Sequence, residues 1–148
     1  LVGSTFEVLL PAVKEPVEEP PAAVAPLPSM RGNENVLFVE DDEVVRKMVA
    51  GILTADGYRM TAVKSFAEAM RAAAPAAPVQ LLIGDLAGEG EKFARQLYST
   101  RPALRVLCTS NYDFKMPVLW LPPEHQVGLN KPYALSELVR AVRKLLDA

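Results

Sequence analysis

The chain has 148 residues, enough for one ordinary domain with length to spare. Its 16 basic and 18 acidic residues leave a formal net charge of −2, so no global basic field is available to hold nucleic acid or an anionic membrane. A single cysteine, Cys108, excludes an intrachain disulfide and fits a reducing compartment, and no apolar run reaches the ~20 residues that span a bilayer.

The chain opens without an initiator Met and without the charged start and apolar stretch of a secretion signal, which reads as a piece of a longer, cytoplasmic protein. Residues 5–10 look like one strand, ended by Pro11. Residues 12–33 read as a flexible linker, because Pro16, Pro20, Pro21, Pro26 and Pro28 remove amide donors and favour extended backbone. From residue 34 the periodicity changes. Val36 to Val39 is a wholly apolar run, as in a strand buried on both faces. Val45, Met48, Val49 and Ile52 then recur at helical spacing, and Gly57 stops that helix. Tyr58 to Val63 reads as a second strand. Ser65 can cap a helix with Phe66, Ala69, Met70 and Ala73 on one face, ended before Pro75.

Val79 to Gly84 is a third strand, Glu91 to Thr100 a helix with Phe93, Ala94 and Leu97 inward, and Leu104 to Cys108 a fourth strand. The stretch 111–126 is irregular, since Pro117, Pro122 and Pro123 allow a short helix at most. Leu119, Trp120 and Leu121 either plug the core there or form a partner surface. His125 reads as an ordinary loop residue and Cys108 as an inert core residue. Val127 to Asn130 is a brief fifth strand. The last helix begins near Ser136, with Leu135, Leu138, Val139, Val142, Leu145 and Leu146 as its apolar stripe. Strands alternating with helices predict an α/β fold: a doubly wound, five-stranded parallel sheet with helices on both faces and a fourth helix that is short or irregular.

Such sheets bind ligands at the carboxyl ends of their strands. Glu40, Asp41 and Asp42 follow strand one, Asp85 strand three, Thr109 and Ser110 strand four, and Lys131 with Pro132 strand five. Crowded carboxylates repel unless a cation joins them, and oxygen ligands alone suit Mg2+. A carboxylate can also act as a nucleophile toward a phosphoryl group, with a metal and a lysine offsetting the charge on the transferring oxygens.

Four motifs carry a family resemblance. Val36-Leu37-Phe38-Val39-Glu40-Asp41-Asp42 resembles the opening strand and acidic pair of two-component receiver domains, and Leu81-Leu82-Ile83-Gly84-Asp85 their phosphoacceptor strand. Val106-Leu107-Cys108-Thr109-Ser110 resembles their fourth strand with its signalling hydroxyl, and Leu129-Asn130-Lys131-Pro132-Tyr133 their Lys-Pro element, usually cis. The resemblance implies a flavodoxin-like receiver at 34–148 that takes a phosphoryl group onto Asp85. It implies Mg2+ held by Asp41 and Asp85, by Glu40 directly or through water, and by the backbone carbonyl of Ala87. Lys131 would pair with Asp85 and then with the phosphoryl group, Thr109 would bond it, and Asp42 would start the helix. The implied partner is a histidine kinase or histidine phosphotransfer domain, with no nucleic acid and no membrane contact. Gly3 to Pro11 resembles the last glycine motif and strand of a histidine kinase ATPase domain, which makes residues 1–11 a remnant and the parent a hybrid histidine kinase.

Three departures from that family stand out. The loop after Asp85 is about three residues short, Gly128 replaces an aromatic commonly coupled to the strand-four hydroxyl, and the usual fourth helix is replaced around Trp120. They keep open a degenerate receiver acting as a phosphorylation-independent interaction module. A flavodoxin-like ligand-binding domain is the third class, and it would carry a bound chromophore or nucleotide.

Overall fold

The computed structural model describes Glu7 and residues 30–74, 77–111 and 120–148. The strand expected at 5–10 apart from Glu7, nearly all of the linker, Pro75 and Leu119 lie outside the described residues. The apolar run after Asn35 forms β1 (Asn35–Val39) at the sheet's interior, paired in parallel with β2 (Arg59–Val63) on one side and β3 (Leu81–Gly84) on the other. β3 pairs with β4 (Arg105–Ser110), and β4 with β5 (Gln126–Asn130). The resulting parallel sheet has the order β2-β1-β3-β4-β5, so the expected doubly wound, five-stranded parallel sheet is present.

Strand pleating divides the apolar residues between two layers. Val36, Phe38, Leu81, Ile83 and Leu107 face α1 (Glu43–Ala55) and the C-terminal helix, here α4 (Leu135–Asp147). Leu37, Val39, Leu82, Val106 and Cys108 face α2 (Phe66–Ala72) and α3 (Glu89–Thr100). Each fully buried Leu or Phe contributes about 1.5–3 kcal/mol relative to exposure. Sequence signals set the helix ends. Asp42 caps α1 by accepting the Val44 and Val45 amides at 2.8 and 3.0 Å, and Gly57, at φ +99°, ends the turn after it. Ser65 caps α2 through the Glu68 amide.

Two stripe assignments differ from expectation. Met48 and Met70 are 44% and 57% exposed, while Val49 and Leu53 form the buried line of α1. The inward line follows 45, 49, 52 and 53, which leaves Met48 on the shoulder of the helix. Helix α3 also starts two residues before the expected Glu91. Between β4 and β5 the helical structure among the described residues is one 3-10 turn, Pro123–His125, preceded by a buried Leu121. Trp120 packs edge-on to Tyr98 with the Arg95 guanidinium 4.8 Å over its ring, so the Trp120–Leu121 pair closes the α3 side of the core. Among the described residues no helix is long and apolar enough to cross a membrane.

Candidate phosphoacceptor site

The chain leaves β1 toward β2 on one side and leaves β3 toward β4 on the other. That divergence opens a crevice at their carboxyl ends. Glu40 and Asp41 stand on one lip and Asp85 on the other.

Glu40 is 5% exposed and Asp41 is open to solvent. The Asp42 amide donates to Asp41 Oδ1 at 3.0 Å and, at a longer 3.4 Å, to Glu40 Oε1. Hydrogen bonding with the Glu40 carboxyl, then with the backbone amides, holds Asp41 below the usual carboxylate range. The two carboxylates therefore share one amide.

Asp85 is half-buried at the end of β3, and its Oδ1 accepts the Ala87 amide at 2.9 Å. The Ala87 carbonyl, expected to face a metal, accepts the Gly90 amide at 3.1 Å in the first turn of α3. The short loop forces this closeness. A Cβ on Gly90 would lie 2.2 Å from the Asp85 carbonyl oxygen and 2.8 Å from Phe66 Cζ, so only glycine lets α3 start there.

Lys131 follows β5 across a cis peptide bond to Pro132, as the family resemblance implies. Its ammonium donates to Glu40 Oε2 at 2.7 Å, and among the described residues Asp85 has no ion pair. The expected Lys131–Asp85 pairing is thus replaced by Lys131–Glu40. Burial of Lys131 pushes its pKa down, but the Glu40 carboxylate outweighs this and the net shift is upward. The deeper carboxylate wins the lysine because a desolvated charge gains more from a partner than a solvated one.

Thr109, next to last in β4, is 1% exposed, and its hydroxyl has no hydrogen-bond partner among the described residues. The same holds for the Tyr133 hydroxyl, whose pKa burial pushes up. Buried polar groups without partners are uncommon and point to a role outside the resting fold. Burial also pushes the Cys108 thiol up, which fits the inert core residue expected.

Arg46 is the residue the sequence reading missed. From the first turn of α1 its Nη1 donates to the Glu40 and Asp41 carbonyls at 2.6 and 3.0 Å. One signal was available: a cation in a helix's first turn opposes the helix dipole, so it needs another reason to be there.

Among the described residues no three His, Cys, Asp or Glu side chains gather into a metal cage. The donors present are nonetheless all oxygen, one of them solvated at Asp41 and one half-buried at Asp85. That set fits Mg2+, which keeps several waters and uses one or two carboxylates.

No family model matches the chain. It is 27% identical over 157 residues to the sensor kinase CckA of Brucella abortus, covering 98% of this chain and 17% of that protein. The receiver domain of a hybrid histidine kinase CckA superposes with a TM-score of 0.61 at 25% identity, over 76% of this chain and 98% of the other. A response regulator receiver protein from Sinorhizobium medicae gives a TM-score of 0.68 at 22% identity, over 78% and 95%. The response regulator TrrA of Thermotoga maritima gives 0.61 as solved with Mg2+–BeF and 0.62 as solved with the histidine kinase ThkA, each at 18% identity over 76% and 98%. The chain spans less than a fifth of the curated CckA relative's length.

Proposed function

We propose that this receiver domain, two-component in its fold and in its relatives, accepts a phosphoryl group from a phosphohistidine onto Asp85. The supporting observation is the placement of Glu40, Asp41, Asp85, Thr109 and Lys131 at the carboxyl ends of the strands of one parallel sheet, with Lys131 on Glu40 and the Thr109 hydroxyl buried and unpartnered among the described residues. A carboxylate oxygen of Asp85 attacks phosphorus, the phosphorus–nitrogen bond to the donor imidazole breaks, and the imidazole leaves with the electron pair and takes up a proton. Lys131 exchanges Glu40 for the phosphoryl oxygens, and the Thr109 hydroxyl donates to one of them. Asp41 and Asp85, with Glu40 directly or through water and the Ala87 carbonyl, would hold Mg2+, which supplies charge neutralisation during transfer.

The donor docks beside the site. A groove of about 410 Å3 between α1 and the β5–α4 turn is walled by Val45, Met48, Val49, Tyr133 and Leu135, with Lys131 at its edge. Val44 and Met48 flank it at 74% and 44% exposure. An exposed apolar shoulder beside a groove suits an amphipathic helix carrying the phosphohistidine, in a histidine kinase or a phosphotransfer domain. The parent is read as a cytoplasmic hybrid kinase, with residues 1–11 a remnant of its ATPase domain, 12–33 the linker and 34–148 the receiver.

One observation favours a second reading, a phosphorylation-independent interaction module: the Ala87 carbonyl is already engaged by Gly90. Intact mass after incubation with Mg2+ and phosphoramidate separates the two. The phosphoacceptor reading expects one hydroxylamine-sensitive phosphoryl group, absent in Asp85→Asn. It also expects Met48→Glu to slow transfer from a phosphohistidine protein about tenfold or more while leaving phosphoramidate labelling intact. An unlabelled wild type, or labelling that survives Asp85→Asn, overturns it.

A further inference from the structure

We propose that Arg46 is a positioning residue that sets both acidic carboxylates for a divalent cation through a single peptide unit. The inference rests on the reading of the rim as an Mg2+-dependent site.

Arg46 grips the carbonyls of Glu40 and Asp41 with one guanidinium nitrogen, at 2.6 and 3.0 Å. The peptide unit joining Asp41 to Asp42 is trans, so its carbonyl and its amide point in opposite directions. Fixing the Asp41 carbonyl toward Arg46 therefore aims the Asp42 amide the other way. On that side it meets Asp41 Oδ1 at 3.0 Å and Glu40 Oε1 at 3.4 Å. The positive charge also polarises the amide, strengthening its pull on both carboxylates. The two carboxyl groups are thus held side by side before any metal arrives.

Asp42 completes the device from the other end. Its own carboxylate caps α1 through Val44 and Val45, which fixes the helix turn that carries Arg46. Strand β1, the acidic turn and α1 are locked into one rigid unit. The guanidinium never loses its charge at ordinary pH, so its grip on the two carbonyls does not depend on pH. Its location in the first helical turn, where a cation is disfavoured, marks a constraint beyond helix stability.

The test uses the whole chain and Mg2+ alone. Arg46→Met keeps the aliphatic stem and removes the donors; Arg46→Lys keeps a cationic donor. Without Mg2+, the Asp42 amide should shift and exchange faster in Arg46→Met and return toward wild type in Arg46→Lys. Mg2+ affinity, read from amide shifts at Asp41 and Asp85, should fall about tenfold or more in Arg46→Met, with most of it recovered in Arg46→Lys. If Arg46→Met does not fold, Arg46→Gln takes its place with the same expectations. Affinity within twofold of wild type, or an equal loss in both variants, overturns the inference while leaving the site reading intact. A wild type that binds no Mg2+ brings down the site reading and the inference together, even if the Asp42 amide responds.

Discussion

Thr109 carries a hydroxyl that the resting fold buries without using. Such a group costs about 1–3 kcal/mol if nothing bonds it, and a valine of the same shape has no such cost. Thr109→Val is therefore expected to match or exceed wild-type thermal stability, by up to about 1 kcal/mol, while weakening the response to a phosphoryl mimic. A loss of stability would mean that the hydroxyl has a resting partner. That Glu40, Asp41, Asp85, Thr109 and Lys131 stand at the carboxyl ends of their strands was legible, because it follows from where each apolar run ends. The partner chosen by Lys131 was not, because it depends on which carboxylate is deeper, and burial depth is set by packing between distant segments. Arg46 was missed for a related reason: its bonds go to carbonyls, and backbone acceptors leave no trace in side-chain identity.

Among the elements, α4 is tied to the start of β1 by Arg143. Its guanidinium bonds Glu34 Oε1 at 2.9 Å and Asp147 Oδ1 at 2.8 Å, and it donates to the Tyr58 hydroxyl at 3.3 Å. Tyr58 in turn donates to the Met30 carbonyl at 2.8 Å, so the chain is engaged with the domain from Met30 onward. Burial raises the Glu34 pKa, but the bonds from Arg143 and the backbone outweigh it, and the net value lies below the ordinary 4.5. A carboxylate with a lowered folded-state pKa stabilises fully above its unfolded value and loses that contribution as pH falls through the folded one. Glu34→Gln should therefore cost about 1 kcal/mol at neutral pH, and the gap to wild type should narrow as pH drops below ~4. Denaturant unfolding across that range checks it; a gap that does not change with pH would assign the cost to packing. This tie was invisible in sequence, since Glu34 and Arg143 lie at opposite ends of the domain. Helix caps were legible because Asp42 and Ser65 act on amides two or three residues away. The Met48 assignment failed because residue 48 lies at the edge of the arc spanned by 45, 49, 52 and 53, and packing from neighbouring segments decides whether such an edge is covered.

At the scale of the whole molecule, the alternation of apolar runs and helical stripes was enough to place five parallel strands and the helices on both faces. The strand order β2-β1-β3-β4-β5 comes from the structure and is one of the few ways such a chain can cover both faces. The short loop after Asp85 was also visible, but not its consequence, the insertion of Gly90 against the Asp85 carbonyl. That crowding, together with the Lys131–Glu40 pair, makes the resting site more closed than its residue list suggests. The central claim is that the site nonetheless opens to Mg2+ and a phosphoryl group. An amide NMR titration of the chain, first with Mg2+ and then with beryllium fluoride as a phosphoryl mimic, tests this most directly. The account predicts shifts at Asp41 and Asp85 with the metal, joined by Thr109 and Lys131 with the mimic. No response to either addition would contradict it and leave a domain that signals by contact alone.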